Sequence, residues 1–171
     1  MRILCTGNPN KPTIARSINK IFSNVDYACS TTGWDLRMWD AESETHFRNK
    51  IKNYDVLINS SFICNGGQMK ILNTTYEECD SMHVFNIGST LEHLGVNNTT
   101  YDVLPIEKRA LRDRSLQLNN YRTNFKTTYI TPAGLNDGEA GHENWLNMDF
   151  IAETIDWIMK RPYSITHITI E

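Results

Sequence analysis

No apolar run in this chain is long enough to cross or target a membrane, and its first residues already pattern as a strand. A cytoplasmic protein without a membrane partner is therefore expected. Cysteine is sparse: Cys5, Cys29, Cys64 and Cys79 stand far apart and form no CxxC pair. That spacing argues against a zinc site or a disulfide framework, so we expect free thiols in a reducing compartment and no bound metal. Basic charge is not in excess either. Lys and Arg total 17 against 20 Asp and Glu, a net charge of −3. A weakly acidic chain without basic clusters is a poor match for nucleic acid or anionic lipid, and no nucleic-acid partner is expected. Repeats, low-complexity tracts and linkers are absent too. At 171 residues the chain suits one domain, spanning 1–171, with room for a full core.

What is present is an alternation of short apolar strands and amphipathic helices. Arg2 to Cys5 reads as a buried first strand that stops at Thr6-Gly7. From Thr13 the period changes, with Ile14, Ile18, Ile21 and Phe22 on one helical face. Val25 to Cys29 reads as a strand, a polar helix begins near Asp40, and Tyr54 to Asn59 is almost continuously apolar, as in a parallel strand covered on both faces. Further along we expect a helix at Met69 to Tyr76, a strand at His83 to Ile87 and a helix at Ile106 to Leu118. A strand at Thr127 to Thr131, a helix at Asp149 to Met159 and a strand at Ile165 to Ile170 complete the order. The pattern predicts an α/β, Rossmann-type, doubly wound parallel sheet with helices on both faces. Ligands bind such sheets beyond the carboxyl ends of the strands, where strand order reverses.

The first strand–helix connection, Thr6 to Ala15, lacks the plain GxGxxG fingerprint but has the parts of a phosphate-binding turn. Gly7 permits a tight turn, Thr13 can cap the helix or offer its hydroxyl to phosphate, and Ala15 lets the helix lie close to the sheet. An ordinary capped strand–helix loop would use the same residues.

Gly7, five residues, then Thr13-Ile14-Ala15-x-x-Ile18 resembles the cofactor turn of enoyl-acyl carrier protein reductases, a divergent branch of the short-chain dehydrogenase/reductase family. Asp55 to Ser61 resembles that family's Asp-Val-Leu-Val-Asn-Asn-Ala-Gly strand, Asn86-Ile87-Gly88-Ser89 its Asn-Ile-Ser/Gly-Ser, and Thr131 to Gly134 its Pro-Gly segment. Tyr101 and Lys108 have the Tyr-x6-Lys spacing of the enoyl reductases, which puts both on one helix face, and Leu111, Ser115 and Leu118 continue the register. Such a pair suits proton transfer, because an ammonium beside a phenol lowers a pKa that is otherwise near 10.

The resemblance implies a catalytic set of Tyr101 as acid/base, Lys108 as its partner, Ser89 as carbonyl anchor and Asn65 as holder of a relay water. It implies cofactor contacts from Gly7, Asn8, Thr13 and Ile14, from Thr31, Asp35 and Leu36, from Asn59 and Ser60, from Lys108, and from Pro132, Gly134 and Leu135. Pro105 between Tyr101 and Lys108 is tolerated at a helix start, which would leave Tyr101 ahead of the helix. Thr90 stands where enoyl reductases have a second tyrosine, and their substrate-covering insertion is nearly absent.

Ser30-Thr31-Thr32 offers no carboxylate to ribose hydroxyls, and Arg37 follows, so the cofactor is read as NADP or NAD with NADP favoured. Trp34 is placed either against adenine or in ordinary packing. The expected function is hydride transfer between a nicotinamide dinucleotide and a small carbonyl or alcohol, in a monomer or a homo-oligomer. Two alternatives stand beside it. One is a nucleotide-binding or assembly module that keeps the fold without turnover. The other is a different small α/β enzyme whose sequence coincides with these motifs.

Overall fold

The computed structural model describes residues 1–34, 36, 39–61, 65–93 and 103–170. Strands β1 (Ile3–Thr6), β2 (Val25–Ala28), β3 (Val56–Asn59), β4 (Met82–Ile87) and β5 (Phe125–Pro132) alternate with helices α1 (Ile14–Ile21), α2 (Ala41–Ile51), α3 (Gly67–Glu78) and α4 (Val103–Leu118). After β5 come two short strands, β6 (Leu135–Asn136) and β7 (Leu146–Asn147), which pair with each other. Helix α5 (Asp149–Met159) and strand β8 (His167–Ile170) follow. The six long strands form one sheet in the order β2-β1-β3-β4-β5-β8, every pair parallel.

Parallel strands need crossovers, and the crossovers here cover both faces of the sheet. Along each strand successive side chains turn to opposite sides. Ile3, Cys5, Ile58, Phe85 and Ile130 therefore join α1 and α5 in one core. Leu4, Leu57, Val84 and Tyr129 join α2, α3 and α4 in the other. Helix α2 shows how local chemistry sets a boundary. The Asp40 carboxylate accepts the Ser43 N–H at 2.8 Å, capping the helix start. Acidic Glu42 and Glu44 occupy its first turn and basic Arg48 and Lys50 its last, each complementing the helix dipole.

The element order matches the sequence reading, with boundaries moved by a few residues. Helix α4 begins three residues early, so Pro105 is its third residue. First-turn N–H groups have no acceptor within the helix, so a proline there forfeits no hydrogen bond. Lys108, Leu111, Ser115 and Leu118 are buried on the inner face of α4, as their register predicts. The turns Ser30–Thr32 and Thr90–His93 and the β6–β7 ladder have no periodic signal and were not anticipated. Cys5 and Cys79 are buried free thiols and Cys29 is half-buried; Cys64 lies outside the described residues.

Gly88 follows β4 at a point where a side chain has no room. An added Cβ would stand 2.3 Å from the Tyr129 hydroxyl oxygen. Because Tyr129 is itself fully buried, it has nowhere to retreat. Gly88→Ala should therefore destabilise the fold by about 1–3 kcal/mol, the usual cost of overpacking. Urea unfolding checks this, and an unchanged midpoint would contradict the packing described.

Candidate functional site

Strand order reverses between β1 and β3, because the chain steps from β1 outward to β2 and then returns to the other side of β1. The carboxyl ends of these two strands are laced together. The Thr6 hydroxyl oxygen accepts the N–H groups of Ser60 at 2.9 Å and Ser61 at 3.0 Å, and the Ser60 hydroxyl donates to the Thr6 carbonyl. Gly7 sits above this joint at φ +130°, a left-handed conformation that favours glycine. A Cβ here would come within 3.1 Å of both Ala15 Cβ and Ser61 Oγ, so the glycine keeps a hollow open between turn, helix and β3. Thr13 is the extended residue just before α1, but its hydroxyl donates to the Asn8 carbonyl at 3.0 Å and caps no helix amide. Ile14 opens the helix and is buried. Gly7, Asn8, Thr13, Ile14 and Ser60 thus gather at one joint.

The residues expected beside the adenosine half are less completely described. Thr31 lies in the turn after β2, its hydroxyl 3.1 Å from the Cys29 thiol. Asp35 and Arg37 lie outside the described residues, and Leu36 is a buried core side chain. Trp34 packs against that core, edge-on to Phe47 at 6.1 Å and to His46 at 4.9 Å.

Lys108 is the most unusual group on the rim. It is only 5% exposed. Its ammonium donates to the Ile87 carbonyl at 2.7 Å and to Gln68 Oε1 at 2.5 Å. Gln68 in turn donates from Nε2 to the carbonyls of Asn59, at 2.7 Å, and Ile87, at 3.2 Å. The Asn59 amide donates to the Gln68 carbonyl and to Asn86 Oδ1, both at 2.9 Å, and Asn86 donates to Ser115 Oγ at 3.2 Å. Asn59 Oδ1 is buried and has no hydrogen-bond partner among the described residues. Burial pulls the Lys108 pKa down to about 8, against the opposing pull of Glu107 and Glu92.

Sequence reasoning assigned a catalytic asparagine to Asn65. The structure places Asn65 in an exposed turn at φ 62°, and the side chain that meets Lys108 is Gln68, one turn further on. A glutamine at the start of a helix has no periodic or motif signature, which is why it was missed. Tyr101 lies outside the described residues.

Beyond β4 and β5 opens a cleft of about 870 Å³, lined in part by Ser89, Pro132, Gly134 and Leu135. Four predicted residues therefore meet in one cavity. Ser89 Oγ accepts the Leu91 N–H at 3.2 Å, which shapes the turn Thr90–His93 along the cleft. Glu92, 1% exposed, anchors that turn from below. Its carboxylate accepts from the Tyr129 hydroxyl at 2.7 Å and from the Thr131 hydroxyl at 3.2 Å. Tyr129, buried and bonded to Glu92, is held well above the usual phenol pKa. Nothing in its sequence context marked Glu92. Outside the cleft lining, Asp137, Glu139 and His142 bring their ligand atoms within 4.8 Å of one another. In that group His142 Nδ1 and Asp137 Oδ1 already share a hydrogen bond of 2.8 Å.

The depressed pKa makes a signed prediction. The ordinary lysine value is 10.5 and the folded value about 8, so between these pH values the unfolded chain holds more protons than the folded one. Stability then rises with pH across that window, and below about pH 8 the cost of burying the ammonium is fully present. Wild type should gain stability relative to Lys108→Met between pH 7 and pH 10, by about 3 kcal/mol at most. Parallel urea titrations measure the difference, and a gap that stays constant over this range would disprove the burial of a charged amine.

No protein-family model matches the sequence, and no curated protein matches it. Solved structures do match in fold. Serine dehydrogenase from Escherichia coli is 15% identical with a TM-score of 0.67, covering 99% of this chain and 97% of that one. A short-chain dehydrogenase from Burkholderia cenocepacia in complex with NADP is 8% identical with a TM-score of 0.74, covering 98% and 89%. A GDP-L-fucose synthetase from Naegleria fowleri is 14% identical with a TM-score of 0.74, covering 99% and 76%. Together with the parallel sheet and its switch point, these likenesses show that the chain has the Rossmann-type fold of the short-chain dehydrogenases/reductases.

Proposed function

We propose that this protein is an NAD(P)-dependent oxidoreductase acting on a small carbonyl or alcohol. One observation carries the reading: the switch-point hollow at Gly7 and the cleft at Ser89 open on the same edge of the sheet, at the carboxyl ends of β1, β3, β4 and β5. The residues fit a dinucleotide. A hollow that a Cβ would fill lies between the Gly7 turn, Ala15 and Ser61, and the helix start beside it has no side-chain cap, which suits a pyrophosphate. Solved structures with this fold, from Burkholderia cenocepacia and Sphingobium yanoikuyae, are complexes with NADP and NADPH.

In this reading Gly7, Asn8, Thr13, Ile14 and Ser60 hold the diphosphate. Thr31, Asp35 and Leu36 flank the adenosine, while Asn59, Lys108, Pro132, Gly134 and Leu135 flank the nicotinamide half. A nicotinamide dinucleotide held there would supply the hydride for a carbonyl carbon. The chain supplies the matching proton: Tyr101 protonates the carbonyl oxygen, Ser89 donates a hydrogen bond to that oxygen, and the Lys108 ammonium favours the resulting phenolate. Gln68 acts through Lys108 as a positioning residue.

One observation favours the alternative of a binding module without turnover. The Lys108 ammonium is turned inward onto Ile87 and Gln68, and it is not part of the cleft lining.

Two measurements decide between these readings. NADPH at a hundredfold its Kd should add about 2.7 kcal/mol of stability, and it should bind more tightly than NADH. Isothermal titration and thermal shift report both. Absence of binding by either nucleotide would end the proposal, and an NADH preference above about tenfold would reverse the cofactor assignment. For turnover, Tyr101→Phe removes the proton and keeps the ring. Activity on a reducible carbonyl should fall about 100-fold, whereas cofactor binding without any turnover in wild type identifies the module.

A further inference from the structure

Among the described residues no Lys, Arg, His, Asp or Glu lines the cleft beyond β4 and β5. Its side chains include Ser89, Thr90, Leu91, Leu135, Trp145 and Phe150. The charged groups nearby are committed elsewhere. Glu92 is buried on Tyr129 and Thr131, and Lys108 points to Ile87 and Gln68. His93, at the end of the turn along the cleft, lies 3.6 Å from the Glu92 carboxylate, His142 pairs with Asp137, and Lys20 pairs with Asp149 at 2.7 Å. The segment from Leu94 to Asp102, which links the cleft turn to α4, contains no Lys, Arg or His in its sequence. A phosphate or carboxylate entering the cleft would lose water and meet no cation among these residues, and an unpaired desolvated charge is strongly disfavoured.

Trp145 makes the cleft wall, and its position is set by its neighbours. The His142 ring stacks on the indole at 3.6 Å with an interplanar angle of 15°. Just beyond β5, Gly134 approaches so closely that a Cβ there would stand 2.8 Å from the indole. Despite these contacts Trp145 remains 46% exposed. A large, fixed and half-exposed aromatic facing a cavity is a contact surface for an apolar ligand. Ser89 and Thr90 in the same lining carry hydroxyls, enough for one carbonyl or hydroxyl group.

We propose that this cleft selects an uncharged carbonyl or alcohol whose apolar body packs against Trp145, and discriminates against phosphorylated and carboxylated substrates. The reaction rests on the oxidoreductase reading; the binding selectivity does not. In the reductive direction NAD(P)H gives a hydride to the carbonyl carbon, a proton goes to its oxygen, and NAD(P)⁺ and an alcohol leave.

The test compares matched neutral and anionic probes. With NADPH, and separately with NADH, 4-methylbenzaldehyde, whose carbonyl is intrinsically no more electrophilic, should be reduced with a kcat/KM about tenfold or more above that of 4-carboxybenzaldehyde. Trp145→Ala should raise KM for the neutral aldehyde, and Trp145→Phe should restore much of the loss. Asn144 is exposed at the cleft rim, and Asn144→Lys should improve the carboxylate several-fold by supplying the missing cation. Binding is read independently by saturation-transfer NMR with acetophenone and 4-acetylbenzoate, with and without NADP⁺. Equal or better turnover of the carboxylated aldehyde would overturn the substrate class and leave the oxidoreductase reading intact. Acetophenone binding that depends on Trp145, with no turnover of any aldehyde, would support the cleft and overturn the oxidoreductase. Binding of neither ketone, or binding indifferent to Trp145→Ala, would overturn the cleft assignment itself.

Discussion

A buried ammonium must meet acceptors, and the Lys108 side chain imposes that demand on the middle of this molecule. Its acceptors, the Ile87 carbonyl and Gln68 Oε1, belong to the last residue of β4 and the second residue of α3. Meeting them fixes the height of α4 against the sheet and the point where α3 begins. Gln68 passes the constraint on by donating to the carbonyls of Asn59 and Ile87, which ties the ends of β3 and β4 together. On the same turn of α4 the Lys108 carbonyl lies 3.0 Å from the Tyr129 hydroxyl, which is also 2.7 Å from Glu92. The floor of the cleft and the floor of the switch point are therefore parts of one hydrogen-bonded layer.

This layer gathers polar groups at one edge of a sheet that is mostly apolar, the buried hydroxyls of Thr127 and Thr128 within β5 being met by the Ser115 and Ile165 carbonyls. A buried polar side chain needs a partner, and Asn59, Asn86 and Thr131, near strand ends, find one another, helix α4 or the turn at Glu92. Just past those ends small residues keep space open. Gly7 leaves a hollow against Ala15 and Ser61, and Gly88 makes room for the Tyr129 hydroxyl. Gly134 lets Trp145 close down beside β5. A rigid core and an open rim are what a dinucleotide and a small substrate would require of this fold.

Much of the architecture was legible in the chain because periodicity is a local property. Ile14, Ile18 and Ile21 recur at helical spacing; Val56 to Ile58 is short and apolar, with two β-branched residues, and Asp149 to Met159 was read with its final boundaries. Strand–helix alternation implied parallel pairing, which the sheet has. Gly7, Ser60, Ser89, Pro132, Gly134 and Leu135 do sit on the rim. Gln68, Glu92 and Trp145 were not legible. Each has an unremarkable sequence neighbourhood and acquires its place from a partner far along the chain: Lys108, Tyr129 and Gly134.

The division follows from the range of the forces involved. Propensity, capping and side-chain period act over a few residues, so the order of elements and the parallel sheet with covered faces were already set in the amino-acid order. Which way a given side chain turns at that edge depends on acceptors and space supplied by other elements. Only the tertiary structure decided that Lys108 points inward to Gln68 and that Asn65 stays in an exposed turn. It alone also decided that the cleft beside Ser89 is walled by an indole and lacks charge among its described lining, because desolvation and close packing exist only once distant segments meet.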